Sequence, residues 1–192
     1  MVETTSEKNQ STIADYVGDM NAVESHIEEA LDRQLDMFPD QPKAAAAVQE
    51  FHDMVKAQRD HVQSVLDGLP KESPTNAVKD LGSSLLGKAA GMLDKIRTES
   101  QSKALRDDYV AFNLAAVSYA MLYTTADALG NRQVADMSEK HLRGYAAAIQ
   151  KINHLIPEVV IHELIKDGHG ADTGAAAKAR EVIDNAWKQT SK

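Results

Sequence analysis

The chain has 192 residues, 26% of them charged, a formal net charge of -8 and a pI near 5.3. That balance disfavours non-specific nucleic-acid binding, which needs clustered Lys and Arg to neutralise phosphates, and no basic stripe is present. The absence of cysteine excludes a disulfide, an iron–sulfur cluster, a thiolate zinc site and a cysteine nucleophile.

Residues 1–11, which begin MVETTSEKNQ, are polar and read as a flexible tail rather than a secretory signal, so a cytoplasmic location is the expectation. The spacing T-x-x-D at Thr12 and Asp15 predicts the start of a first helix running to about Asp36. Its buried stripe is Ile13, Tyr16, Val17, Met20, Val23, Ile27, Leu31 and Gln34, and Glu24 falls on the same face. A carboxylate on an apolar face needs a partner. Glu28, Glu29, Asp32 and Arg33 read as a solvated face.

After a turn at Phe38–Pro42, Pro42 opens a second helix with Val48, Phe51, Val55, Gln58, Val62, Val65 and Leu69 at spacings of three and four. Gln58 occupies a core position in this register and His61 lies at the stripe edge. Helices one and two should pair antiparallel. A connection over 69–102 follows, with Val78, Leu81, Leu85, Ala89, Met92 and Ile96 as an amphipathic pattern and Gly87-x-x-x-Gly91 suited to close packing.

Leu105–Gly130 is the longest apolar stretch and reads as a central helix of about 39 Å, apolar nearly all round and therefore buried by its neighbours. Arg106, Asp107, Asp108, Asn113 and Asp127 argue against a membrane span. Gly130 should terminate it and Asn131 should cap a fourth helix ending at Pro157, with Val134, Met137, Ser138, His141, Tyr145, Ala148, Ile149, Ile152 and Ile156 inward. A short fifth helix over Glu158–Lys166 and a C-terminal helix with Val182, Ile183, Ala186 and Trp187 complete the chain. His162-Glu163 begins like the zinc-protease H-E-x-x-H, but Lys166 replaces the second histidine. His26, His52, His154 and His169 read as exposed. The domain reading is therefore a tail (1–11), a four-helix bundle (12–157) and a helical extension (158–192).

Two helix pairs joined by a long crossover, with MNAVESHIEEAL, AQRDHVQSVLDGL and AAVSYAMLYTTADALGN in order, make residues 12–156 resemble the ferritin-like superfamily. Within it, the chain is most similar to the small bacterial stress-associated YciE/YciF-like family. The resemblance implies an all-α, ferritin-like antiparallel bundle and a bacterial stress setting. It also implies a dimetal site built from one Glu on each of two helices and a Glu-x-x-His on each of the others.

Carried over by position, Glu24 matches the first glutamate, while Gln58-x-x-His61 and Ser138-x-x-His141 each lack the carboxylate. Phe112, Asn113, Ala115 or Ala116 stands where the third helix should supply its glutamate. Three of four carboxylates are missing, and neutral side chains cannot balance two cations. Two readings follow. In the first, no cofactor is bound and Glu24, His61 and His141 are remnants satisfied by Gln58, Ser138, Tyr119 or water in a non-catalytic, homodimeric scaffold. In the second, Glu24, His61 and His141 hold iron, manganese or zinc in an oxidase or storage protein. The C-terminal helix is expected to cover the bundle or to meet a protein partner.

Overall fold

A computed structural model describes residues 4–69 and 100–190, and among these all regular structure is helical. The helices are α1 (Thr5–Asp32), α2 (Pro42–Gly68), α3 (Gln101–Ala128), α4 (Arg132–Lys166) and α5 (Ala175–Thr190). The predicted crossover, with its glycine pair, falls on residues 70–99 and lies outside the described residues.

Cross-helix partners fix how the four long helices run. Glu28 meets Arg59 and Asn21 meets Gln63, so α1 and α2 are antiparallel. Gln34 meets Asp108 and Glu24 meets Tyr119, so α1 and α3 are antiparallel as well. Lys43–Glu158 and Glu50–Lys151 give the same relation for α2 and α4. It follows that α2 and α3 are parallel and diagonal, and α2 ends at the end of the bundle opposite to where α3 begins. That is the topology of a bundle with one long crossover. One contiguous core joins Val17, Leu31, Val48, Phe51, Leu105, Phe112, Val134 and Ile152 from all four helices.

Two boundaries and the burial of one helix differ from the sequence reading. Helix α1 begins at Thr5 rather than Thr12, because Thr4 and Glu7 form the reciprocal capping box: Glu7 N–H donates to Thr4 Oγ1 at 3.3 Å and Thr4 N–H donates to Glu7 Oε2 at 2.7 Å. Thr12 is mid-helix, its hydroxyl turned back to the Lys8 carbonyl. At the other end, α4 continues through Pro157 to Lys166, so the predicted short fifth helix is its last turns. Pro157 has no N–H for the Asn153 carbonyl. Burial of Ile152, Pro157 and Val159 holds the helix together across it.

The third difference concerns the central helix. Its inward side is buried at Leu105, Phe112, Ala115, Tyr119, Leu122 and Ala126, but Val110, Leu114, Val117 and Met121 are exposed. Being apolar nearly all round does not make it buried all round. His52 departs in the other direction: it is 8% exposed and contacts Asp32 at 2.9 Å. Glu28 is likewise buried beside Arg59 rather than solvated.

Among the described residues, two glycines have positive φ, and they close helices by the same pattern. Gly130 (φ 76) follows α3, with Asn131 N–H donating to the Ala126 carbonyl at 2.8 Å and Gly130 N–H to Asp127 at 3.1 Å. Gly168 (φ 83) ends α4 through His169 to Leu164 and Gly168 to Ile165. Asn131 then accepts the Val134 N–H, as its position predicted. Gly18, by contrast, lies inside α1 with open space around any added Cβ. Two alanine substitutions should therefore act oppositely in urea unfolding. Gly18→Ala should stabilise by about 0.5–1 kcal/mol, and Gly130→Ala should destabilise by about 1–2 kcal/mol.

Candidate functional site

The sequence candidates converge on one layer halfway along the bundle. Glu24 comes from α1, Gln58 and His61 from α2, Tyr119 from α3, and Ser138, His141 and Tyr145 from α4. The i, i+4 spacing of Met20 and Glu24 and the i+3 step to Ile27 put the carboxylate on the buried stripe, where it is fully inaccessible. On α4 steps of three and four residues place Ser138, His141 and Tyr145 on one face, all buried.

Both oxygens of Glu24 are engaged. Tyr119 donates its hydroxyl to Oε1 at 2.5 Å, and Tyr145 donates to Oε2 at 2.5 Å. Since the only hydroxyl proton of Tyr119 goes to Glu24, its oxygen accepts from His141, whose Nδ1 lies 2.9 Å away. His141 therefore carries its proton on Nδ1, and its Nε2 accepts from His61 Nδ1 at 3.0 Å. The result is one directed hydrogen-bond chain from His61, at the surface, to a carboxylate in the core. Ring packing supports it: Tyr119 stands edge-on to His141 with centroids 5.1 Å apart, and His61 stands edge-on to His141 at 5.1 Å.

Electrostatics follow from burial. Desolvation raises Glu24 from its usual 4.5 to about 7, against the hydrogen bonds from Tyr119 and Tyr145 that favour the carboxylate. Burial pushes His141 down to about 3, helped by the neighbouring His61 and Lys140, so its imidazole stays neutral. Both tyrosines are raised well above their usual range by burial and by Glu24 beside them. Both phenols therefore keep their protons.

The other two sequence candidates stay outside this chain. Ser138 turns its hydroxyl back to the Val134 carbonyl at 2.7 Å. Gln58 is buried and lies against Gly144, where a Cβ would come within 2.6 Å of its Nε2. Neither residue satisfies Glu24 or His141. The positions on α3 where a carboxylate was sought are filled by carbon: Phe112 packs edge-on against Phe51 with centroids 5.3 Å apart and lies 5.4 Å from Tyr145. Asn113 bonds its own helix at the Tyr109 carbonyl.

A dimetal centre does not fit these residues. It needs several carboxylates around two cations, whereas this layer offers one, with both its oxygens bound by phenols. Among the described residues no group of three or more His, Asp or Glu side chains is placed to surround a metal ion. For Glu24, His61 and His141 to share one ion, the Tyr119 hydroxyl would have to leave its place between Glu24 and His141.

Sequence reasoning located Glu24, His61 and His141 but not Tyr145 as a partner of the carboxylate. It also missed a second buried polar pair about 15 Å further along the bundle, where Gln34 Nε2 donates to Asp108 Oδ1 at 2.8 Å. Burial raises Asp108 to about 7, against the Gln34 hydrogen bond. The H-E pair at His162 also has a structural use: Glu163 Oε1 accepts from Ser102 N–H at 3.1 Å and from the Ser100 hydroxyl at 3.0 Å, which caps the start of α3.

The fold and this layer define a ferritin-like helical bundle with a hydrogen-bonded centre. The chain belongs to the family described as a domain of unknown function, DUF892, whose model matches residues 10–165. Among solved structures it is similar to the E. coli stress protein YciF, with 18% sequence identity and a TM-score of 0.60 over 79% of this chain and 96% of that one. No curated protein matches it in sequence. The fold and the YciE/YciF-like resemblance read from the sequence are thus borne out.

The buried carboxylate gives a pH test. A group whose folded value is raised contributes most to stability below its unfolded value, near 4.5, and that contribution is lost as pH rises through the folded value near 7. His141 runs the other way, its contribution being lost as pH falls below about 6.5. Comparison with Glu24→Gln, which keeps His141, isolates the first effect. The stability of the wild type minus that of Glu24→Gln should fall by roughly 2 kcal/mol between about pH 5 and pH 8. A difference that stays flat across this range in parallel urea titrations would mean that Glu24 is not a desolvated acid.

Proposed function

We propose that this chain is a non-catalytic scaffold or interaction protein of the bacterial stress response, a ferritin-like bundle whose metal site has degenerated into a hydrogen-bonded core. The observation that carries the proposal is the clamping of both Glu24 oxygens by tyrosine hydroxyls from two different helices. A carboxylate used this way locks α1 to α3 and α4 and engages each of its oxygens in a hydrogen bond to a phenol. The stress setting rests on likeness in fold to the E. coli stress protein YciF.

A second reading, a metal-binding oxidase or storage protein using Glu24, His61 and His141, draws on the His61 and His141 ring nitrogens facing each other at 3.0 Å. Iron, manganese or zinc would suit two imidazoles and a carboxylate. Elemental analysis of the chain purified without added metal separates the two. The scaffold reading expects all three metals well below one per chain, and expects His141→Ala to lower stability without changing metal content. A stoichiometric metal that vanishes in His141→Ala would overturn it and establish the second.

A further inference from the structure

The second buried polar pair ties the end of α1 to the start of α3. Gln34 lies just past the last residue of α1 and is fully inaccessible, and Asp108 is 2% exposed. Gln34 Nε2 donates to Asp108 Oδ1 at 2.8 Å. Two buried oxygens of the same contact, Gln34 Oε1 and Asp108 Oδ2, have no hydrogen-bond partner among the described residues. An ionised carboxylate has no proton to offer an amide oxygen, so with Asp108 charged both would stay unsatisfied at the full cost of desolvation. A neutral acid carries the one proton that satisfies both.

The surroundings favour that neutral form. Leu31 and Phe38 lie about one turn either side of Gln34, and Leu105 and Phe112 about one turn either side of Asp108, all buried. No counterion is at hand. On α3, Asp107 opposes ionisation of Asp108, and Arg106 is paired with Asp107 at 2.6 Å. Around Gln34, the charged side chains Asp32, Arg33 and Asp36 are exposed. The register of α4 against α3, set by Glu163 beside Ser102 and His141 beside Tyr119, brings Lys151 and His154 level with Asp108, but they pair with Glu50 and Asp184. On α2 that level holds Glu50 and His52, and His52 faces Asp32 at 2.9 Å.

We propose that Asp108 holds a proton in the folded chain and closes a two-point ring with Gln34, Oδ2–H to Oε1 and Nε2–H to Oδ1, as a latch that alkali opens. Opening is a plain ionisation: the Oδ2 proton leaves to water, the bond to Oε1 is lost with it, and a buried charge remains beside Asp107. The latch sits at the end of the bundle where the chain enters α3. There Gln101 also donates to the Met37 carbonyl and accepts from Gln41. Burial raises the Asp108 carboxyl from 3.8 to about 7, so its contribution to stability is complete below about pH 3.8 and is lost as pH rises through 7.

Asp108→Asn keeps the ring at every pH, because its Nδ2–H replaces Oδ2–H and its Oδ1 still accepts from Gln34. Glu24 is present in both proteins, so its own titration cancels in the comparison. In thermal unfolding of the full chain, the variant should melt with the wild type at about pH 5 and at least about 5 °C above it at about pH 9. Amide hydrogen exchange at the start of α3 should be equal in the two at the lower pH and faster in the wild type at the higher one. A melting difference that is the same at both pH values would overturn the proposal, as would equal exchange at about pH 9. Carbon-13 NMR of the wild type labelled in aspartate needs no variant: one carboxyl carbon should titrate above about pH 6. Aspartates that all titrate below about pH 5 would overturn the proposal even if Asp108→Asn failed to fold.

Discussion

Everything in the centre of this bundle depends on a carboxylate that has been taken out of water. Burying an ionised group without partners is among the costliest things a fold can do. Glu24 is held by two phenol hydroxyls at 2.5 Å, one from α3 and one from α4, while its own backbone belongs to α1. The arrangement works only if three helices keep their axial register, since a slip of one residue, about 1.5 Å, would break both bonds. His141 and His61 extend the same constraint to α2 through Tyr119. A single acidic residue thus ties all four long helices at one level, and the apolar core above and below supplies the bulk of the stability without supplying that register.

The same geometry accounts for the chemistry that the layer lacks. Metal-binding bundles put negative charge at this level to balance cations, and a carboxylate there is useful because its lone pairs point at empty space. Here the space is aromatic. Phe112, Tyr119 and Tyr145 pack against one another, with the two tyrosine rings stacked at 6.0 Å. The hydroxyls of Tyr119 and Tyr145 hold the layer's one carboxylate in hydrogen bonds. Burial keeps His141 neutral, so the layer's only possible negative charge is spread over hydrogen bonds rather than paired with a cation.

The sequence was informative where a single helix decides the matter. Glu24 and His141 were recognisable because helical periodicity alone places them on apolar stripes, and Gly130 with Asn131 because a helix stop followed by a cap is a local signal. It was uninformative where two distant segments decide. Glu28 looked solvated until Arg59, 31 residues away, was brought beside it. Tyr145 could be assigned to the core but not to Glu24, which lies 121 residues earlier. Gln58 and Ser138 illustrate the converse: both sit where the metal-binding pattern needs a ligand, yet one lies along Gly144 and the other bonds its own helix. Local signals also mislead: Thr12 and Asp15 have the spacing of a cap, yet Thr4 and Glu7 form the capping box, and Pro157, which reads as an end, lies inside α4.

The central helix shows why composition and burial must be kept apart. An apolar helix inside a bundle is needed only on the side that faces its neighbours, and α3 satisfies that with Leu105, Phe112, Ala115, Tyr119 and Leu122. Nothing in the packing of the four helices requires Val110, Leu114, Val117 or Met121 to be apolar as well. On the outward faces of α1 and α2 the same geometric role is filled by charged residues such as Glu29, Asp53 and Lys56. Isolated exposed hydrophobics are ordinary, but four at interface spacing within an uncharged stretch form a continuous strip. The same helix therefore carries carbon on its inner side, where Phe112 and Ala115 pack in the core, and on its outer side, where the other three long helices leave it uncovered.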